Sequence, residues 1–179
     1  MKKKVLSIVA VVLVLCCAIG GTLAWLTDKT GPVVNTFTVG DINIELAESE
    51  NLDLKMVPGN TITKDPFITV KANSEKCWLF VKVVKSATYS DFLDDYKMAA
   101  GWTALTGEEG VYYQVVDAST ANQVFEVLLN NQVTVKGTKA QMEGIKNNTA
   151  AAPTLTFTAY AVQFDNVATA ADAWTKANA

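Results

Sequence analysis

Between residues 77 and 85 the chain reads Cys77-Trp78-Leu79-Phe80-Val81-Lys82-Val83-Val84-Lys85, with apolar side chains on both faces of an extended strand. One face carries Leu79, Val81 and Val83. The other carries Trp78, Phe80 and Val84. A strand that is apolar on both faces is usually covered on both sides. We therefore predict a central strand over 77–85.

Six further runs are typical of strands, namely 41–46, 67–70, 111–116, 124–129, 133–135 and 155–164. The first alternates strictly between polar and apolar residues, which is the period of a half-buried strand. Turn residues such as Pro58-Gly59-Asn60 separate the runs. About seven strands in one domain, residues 25–179, predict an all-β fold with a few short helices, a two-sheet jelly-roll-like β-sandwich.

Three short helices are predicted in crossovers or at the rim of the sandwich. The first begins with Ser90 as its N-cap and ends at Gly101. The second begins at Thr138, where Gln141 three residues later completes a capping box. The third begins near Thr169 and carries one apolar stripe, formed by Ala170, Ala173, Trp174 and Ala177.

Residues 1–24 are typical of a cleavable secretory signal. Three lysines precede an apolar run over 5–19, which is shorter than the roughly 20 residues that a transmembrane helix needs. The small residues Thr22 and Ala24 predict that signal peptidase cuts between Ala24 and Trp25. The expected location is secreted, in the extracellular matrix or at the cell surface, with membrane contact only through the transient signal. A lipoprotein linked through Cys16 is the alternative, although Leu15 occupies a position that requires a small residue.

The composition removes several classes of chemistry. The chain has no His, and all 15 basic residues are Lys. Histidine general bases, Ser/His or Cys/His nucleophile pairs, imidazole zinc sites and arginine phosphate clamps therefore cannot form. Export leaves 12 lysines against 18 acidic residues, a formal charge of −6, which argues against a nucleic-acid partner. We predict no catalytic residues, no metal and no cofactor.

The chain has three cysteines, and two of them belong to the signal. Because Cys16 and Cys17 leave with it, Cys77 remains as an unpaired thiol. Its place in an apolar run predicts a buried, inert side chain, and a reactive or intermolecular thiol is the alternative.

Two groups of side chains have both a structural and a functional interpretation. Asp91, Asp94 and Asp95 are expected on a solvated helix face, and a calcium site is the alternative. Trp102, Tyr112 and Tyr113 are expected to pack in the core or at its rim, and adhesion through exposed rings is the alternative.

Several segments in order resemble the TasA/camelysin family of exported matrix and fibre proteins. The stretch Gly20-Gly21-Thr22-Leu23-Ala24, followed by Asp28, is similar to the family's cleavage junction. Phe37, Gly40 and the alternating run that follows look like its first mature strand. The family's Pro-Gly block is similar to the stretch Val57-Pro58-Gly59-Asn60-Thr61-Ile62-Thr63-Lys64-Asp65. The family's closing strand is similar to Thr156-Phe157-Thr158-Ala159-Tyr160-Ala161-Val162-Gln163.

The resemblance implies a jelly-roll fold and a fibre of identical subunits that lend a strand to a neighbour, with other matrix proteins as further partners. The expected donor segment is 25–38, because Val33, Val34, Thr36 and Phe37 have side chains that suit pairing with an open sheet edge. Alternatively, 33–39 begins the chain's own first strand.

Two other functions remain open. Camelysin relatives have been called metallopeptidases, but this chain has no His and no His-Glu-x-x-His helix. A monomeric β-sandwich that binds at a surface is the third interpretation.

Overall fold

The computed structural model describes residues 41–49 and 55–178. Within them the chain forms the strands β1 (Ile44–Ala47), β2 (Thr61–Thr63), β3 (Phe67–Val70), β4 (Cys77–Lys85), β5 (Thr103–Ala104), β6 (Val111–Val116), β7 (Gln123–Glu126), β8 (Gln132–Thr134) and β9 (Leu155–Gln163). The helices are α1 (Tyr89–Phe92), α2 (Lys139–Lys146) and α3 (Ala170–Ala177), with a 3-10 turn at Leu129–Asn131. The predicted signal, the Ala24/Trp25 cleavage site and the predicted donor residues Val33, Val34, Thr36 and Phe37 lie outside the described residues.

The strands form antiparallel sheets. The largest has the order β5-β6-β4-β9, and β4 pairs with β9 along its whole length, from Cys77 opposite Gln163 to Lys85 opposite Leu155. A second sheet has the order β1-β3-β7, and β2 pairs with β8 as a two-stranded ribbon. Most neighbours in this order are distant in sequence, so the connections cross over as in a β-sandwich.

Two apolar clusters cover the two faces of β4. Leu79, Val81 and Val83 belong to the main core, which also contains Ile68 and Val70 of β3 in the facing sheet. On the opposite face, Trp78 and Phe80 pack with Ala173 and Trp174 of α3. The prediction of a central strand covered on both sides is therefore confirmed. Val84, near the end of the strand, is 49% exposed and does not belong to the second cluster. The cover on this face therefore ends before Val84.

The predicted all-β fold with a few short helices is confirmed. Three strands, β3, β4 and β6, have the predicted bounds. The helix predicted over 90–101 is wrong beyond its first turn, since α1 ends at Phe92. Leu93 is extended and forms a β-bridge with Val135, so pairing with a distant segment replaces the helical hydrogen bonds of this stretch.

The two other predicted helices are confirmed at their N-termini. At the start of α2, the Thr138 hydroxyl oxygen accepts a hydrogen bond from the Gln141 N–H at 3.3 Å, and the Gln141 side chain accepts one from the Thr138 N–H at 2.7 Å. At the start of α3, Thr169 Oγ1 accepts a hydrogen bond from the Asp172 N–H at 3.1 Å. These caps satisfy backbone N–H groups that have no partner inside a helix. No helix in the described part of the chain is long and apolar enough to cross a membrane.

Candidate functional site

β9 forms one edge of the largest sheet, and β1 lies near it without pairing with it. β9 pairs with β4 on one side, and no described strand pairs with its other side. The outer edge of β7, by contrast, is occupied in part, because the Trp102 indole N–H donates a hydrogen bond to the Glu126 carbonyl at 2.8 Å. An unpaired edge presents backbone N–H and C=O groups to which another strand can add. The edge of β9 can therefore accept a strand.

A groove lies beside this edge, where β1 ends and β9 begins. One part has a volume of about 360 Å³ and is lined by Leu46, Ala47, Glu48, Lys64, Pro66, Leu155, Thr156 and Phe157. A second part of about 270 Å³ shares Lys64 and Leu155 with the first, and it is otherwise lined by Met56, Ile62, Leu93, Val133, Pro153 and Thr154. We call the two parts together the β9 groove. The walls of the second part are mostly apolar, whereas the first part has polar and apolar surface in similar amounts. The second part suits the apolar face of an extended segment.

Lys64 is the cation common to both parts of the β9 groove. Its ammonium lies 2.6 Å from Glu48 Oε1 and 5.7 Å from the centroid of the Phe157 ring. The Lys64 side chain is only 16% exposed, so its aliphatic stem is packed while its charge meets a carboxylate. Lys64 therefore places a charged pair with Glu48 in the wall of the β9 groove.

A second contact holds the same ends of β1 and β2 together. The Ser49 N–H donates a hydrogen bond to Asp65 Oδ1 at 3.2 Å. Hydrogen bonding by the Ser49 side chain is the main cause that lowers the pKa of the Asp65 carboxyl. The charged form of Asp65 is therefore favoured where the β9 groove begins.

Cys77 lies at the start of β4 as a free, fully buried thiol in the main core. Burial raises its pKa to about 11. The thiolate is the reactive form of cysteine, so this side chain is protected at neutral pH both by lack of access and by its protonation.

The acidic residues after β4 are exposed. Asp95 forms an ion pair with Lys85 at 3.0 Å, and Asp91 and Asp94 face solvent. Within residues 41–49 and 55–178, no group of three or more His, Cys, Asp or Glu side chains could hold a metal ion. The solvated interpretation fits these residues, but the predicted helix face is wrong for Asp94 and Asp95, because α1 ends at Phe92. The calcium alternative lacks a ligand cluster there.

The three aromatic residues considered for adhesion all have packing roles. Trp102 makes the hydrogen bond to β7, Tyr112 meets the ring of Tyr96 edge-on at 6.2 Å, and Tyr113 lies 5.9 Å from Trp78. They support core and rim packing and present no exposed aromatic patch.

The β9 groove itself was not predicted from the sequence. Its position depends on the pairing of β2 with β8 and on β9 lying at a sheet edge, and neither is visible in periodicity. The one available signal was Lys64, a charged residue directly after the short run Thr61–Thr63 in the block with family resemblance.

One comparison with known proteins gives a match. The family model described as camelysin metallo-endopeptidase matches residues 1–100, more than half of the 179 residues. The matched region runs from the N-terminus through β1, β2, β3, β4 and α1. No curated protein and no solved structure matches the chain significantly.

Proposed function

Because the chain belongs to the TasA/camelysin family, we propose that it is an exported structural protein of the extracellular matrix that self-assembles into fibres. In this proposal signal peptidase removes residues 1–24, and the mature protein starts at Trp25. Its main partners are identical subunits, and other matrix proteins join the same matrix. It needs no cofactor.

The observation that carries the proposal is the edge of β9, which no described strand pairs, beside the β9 groove with its mostly apolar second part. A strand that adds to this edge would satisfy backbone groups that have no partner among the described residues and would cover apolar walls. Exposed edges of this kind otherwise favour uncontrolled aggregation. A dedicated partner strand is therefore a physical reason for the protein to keep this edge open.

We propose that the strand comes from residues 25–38 of a neighbouring subunit. Val33, Val34 and Phe37 supply β-branched and aromatic side chains, and Thr36 also favours an extended backbone. Each subunit has one such segment and one β9 groove, so head-to-tail addition continues without closing and produces a fibre.

The test compares the mature chain, residues 25–179, with a chain that lacks residues 25–35. We expect the mature chain to form fibres in electron micrographs. The shortened chain should elute as a folded monomer in size exclusion. Replacing Val33 and Val34 by lysine should have the same effect, because an ammonium fits poorly in an apolar groove, whereas Lys29→Ala should still assemble.

If the shortened chain polymerises with unchanged morphology, assembly does not use this segment. A mature chain that remains monomeric under all conditions would instead favour the surface-binding β-sandwich.

The name of the matched family makes a metallopeptidase the second candidate. A catalytic zinc site takes three protein ligands, most often including histidine. The chain has no His, and the described residues contain no cluster that fits a metal ion. The residues therefore do not fit the metal that the family name implies, and we propose that the chain is not an enzyme. Casein hydrolysis by the purified mature chain, abolished by a chelator and restored by zinc, would overturn this.

A further inference from the structure

A separate pocket opens at the end of the sandwich where β4 ends and β6 begins. Its volume is about 530 Å³, and its polar lining includes Lys85, Ser90, Tyr96, Glu109 and Tyr112. We call it the end pocket. Its size falls in the range of small-molecule sites, which is roughly 300 to 1,000 Å³. None of these five side chains lines the β9 groove.

The wall that carries Glu109 is held tightly against β4. The Val83 N–H donates a hydrogen bond to the Gly110 carbonyl at 2.8 Å. Gly110 has φ +72°, and a Cβ atom there would lie 2.3 Å from the Val83 carbonyl oxygen. Only glycine permits this approach, so Glu109 projects from a loop fixed to a central strand.

Two tyrosine hydroxyls form the opposite wall. Tyr96 Oη and Tyr112 Oη are 3.3 Å apart. Burial is the main cause that raises the pKa of Tyr96 above its ordinary value, so the hydroxyl is neutral at physiological pH. When one of the two hydroxyls donates to the other, the second keeps its own proton for a ligand. The pair therefore offers a donor as well as acceptor lone pairs.

The two charged side chains in the lining of the end pocket differ in their partners. Lys85 donates to Asp95 Oδ1 at 3.0 Å, and its ammonium lies 5.8 Å from the centroid of the Tyr96 ring. Two of its three N–H groups remain for other partners. The Glu109 carboxylate and the Ser90 hydroxyl have no hydrogen-bond or ion-pair partner within the described part of the chain.

We propose that the end pocket binds a neutral oligosaccharide. Glu109 would accept hydrogen bonds from sugar hydroxyls, while Lys85 and the tyrosine pair would donate to others. Glu109 disfavours an anionic ligand, and the Lys85 ammonium is already paired with Asp95. Sugar hydroxyls both donate and accept hydrogen bonds, so a polyol matches the mixture of acceptors and donors that Glu109, Lys85 and the tyrosine pair present. In an extracellular matrix such a site would attach the protein to polysaccharide.

Sugar binding in the end pocket does not depend on fibre formation, because the end pocket and the β9 groove have no lining residue in common. A protein that failed to form fibres could still bind sugar here, and a fibre-forming protein could fail to do so. Electron microscopy therefore tests fibre formation, and calorimetric titration separately tests sugar binding.

The experiment is calorimetric titration of the mature chain with maltotetraose, cellotetraose and chitotetraose at millimolar concentrations. We expect at least one tetrasaccharide to bind. Glu109→Gln and Tyr112→Phe should each weaken that binding roughly tenfold. The first replaces a charged acceptor by a neutral amide, and the second removes a hydroxyl, while both preserve shape. Glu108→Gln is the matched control, because the neighbouring carboxylate is exposed and lies outside the lining.

Circular dichroism and the melting temperature identify any variant that is misfolded. If Tyr112→Phe is misfolded, the test uses Glu109→Gln, whose substitution lies at the surface. The proposal is overturned if none of the three sugars binds to the mature chain. It is equally overturned if binding survives unchanged in Glu109→Gln, or if Glu108→Gln weakens it to the same extent.

Discussion

The Lys64 ammonium lies 2.6 Å from the Glu48 carboxylate and thereby joins the segment after β2 to the segment after β1. The pair is partly shielded, with side chains 16% and 33% exposed. Ion pairs with this degree of exposure contribute little to stability, about 0 to 1 kcal/mol. Its position matters more than its energy, because Lys64 lines both parts of the β9 groove beside the first residues of β9.

Reversing the charge of Lys64 tests this position. Lys64→Glu places two carboxylates side by side in the β9 groove, so we expect a folded monomer that no longer forms fibres. Lys71→Glu is the control, because Lys71 also forms an ion pair, with Glu45, and lies outside the β9 groove. Its side chain is more exposed than that of Lys64, at 41% against 16%, so the melting temperatures of both variants are compared. Electron microscopy and light scattering report assembly, and the melting temperature reports folding. Unchanged fibres from Lys64→Glu would show that assembly does not pass through this groove.

The sequence predicts best the strands whose runs have at least four residues rich in β-formers, which include the short β3. β4 and β6 are long and rich in β-formers, so their bounds were predicted. β2 and β5 have only three and two residues, too few for a periodic signal. Leu93 lies at helical spacing but pairs with Val135, because a distant partner outweighs local propensity.

The candidate site was less predictable for a related reason. The β9 groove requires several sequence-distant segments to meet, from 46–48 to 153–157. The order of strands in a sheet is not encoded in local periodicity. The end pocket likewise depends on Gly110 approaching Val83, a contact between the start of one strand and the middle of another. Composition alone did exclude histidine chemistry, because that argument needs no geometry.

The N-terminus of the exported protein is a direct test of processing. Cleavage after Ala24 should yield a secreted chain that begins at Trp25, since Thr22 and Ala24 supply the small side chains that signal peptidase requires. Intact-mass measurement of secreted material checks this. A mass that retains residues 20–24, or that carries a lipid on Cys16, would contradict it.

The contact between α3 and the sheet predicts a large effect of removing Trp174. Its ring centroid lies 5.4 Å from that of Phe80 and 5.1 Å from that of Tyr160, and the side chain is buried. Trp174→Ala should lower the free energy of unfolding by about 3 to 5 kcal/mol, as expected for truncating a buried aromatic residue. Lys176→Ala, exposed on the same helix, should change it by less than about 0.5 kcal/mol. Urea denaturation measures both, and similar values would show that α3 contributes little packing.

Replacing the buried thiol should lower stability without abolishing folding. Cys77→Ser puts a hydroxyl into an apolar site, and we expect a loss of about 1 to 3 kcal/mol in the free energy of unfolding. Assembly should persist in this variant. A Cys77-linked dimer whose reduction abolishes oligomers would instead show that the thiol is accessible and functional.

Burial of Cys77 also predicts how stability changes at alkaline pH. The folded protein holds the thiol pKa at about 11, above its ordinary value of 9.0, because burial disfavours the thiolate. Folding therefore favours the protonated thiol, and this contribution is complete below about pH 9 and is lost as the pH rises toward 11. Burial raises the pKa of Tyr89 to about 12 and also raises the pKa of Tyr96, so the tyrosines add to the alkaline loss of stability in every variant.

The Cys77 contribution is the difference between the native protein and Cys77→Ala, measured by urea denaturation at several pH values from 8 to 11. The stability of the native protein should fall more steeply than that of Cys77→Ala over this interval. Parallel curves would show that the thiol titrates alike in the folded and unfolded chains and that its burial has no electrostatic cost.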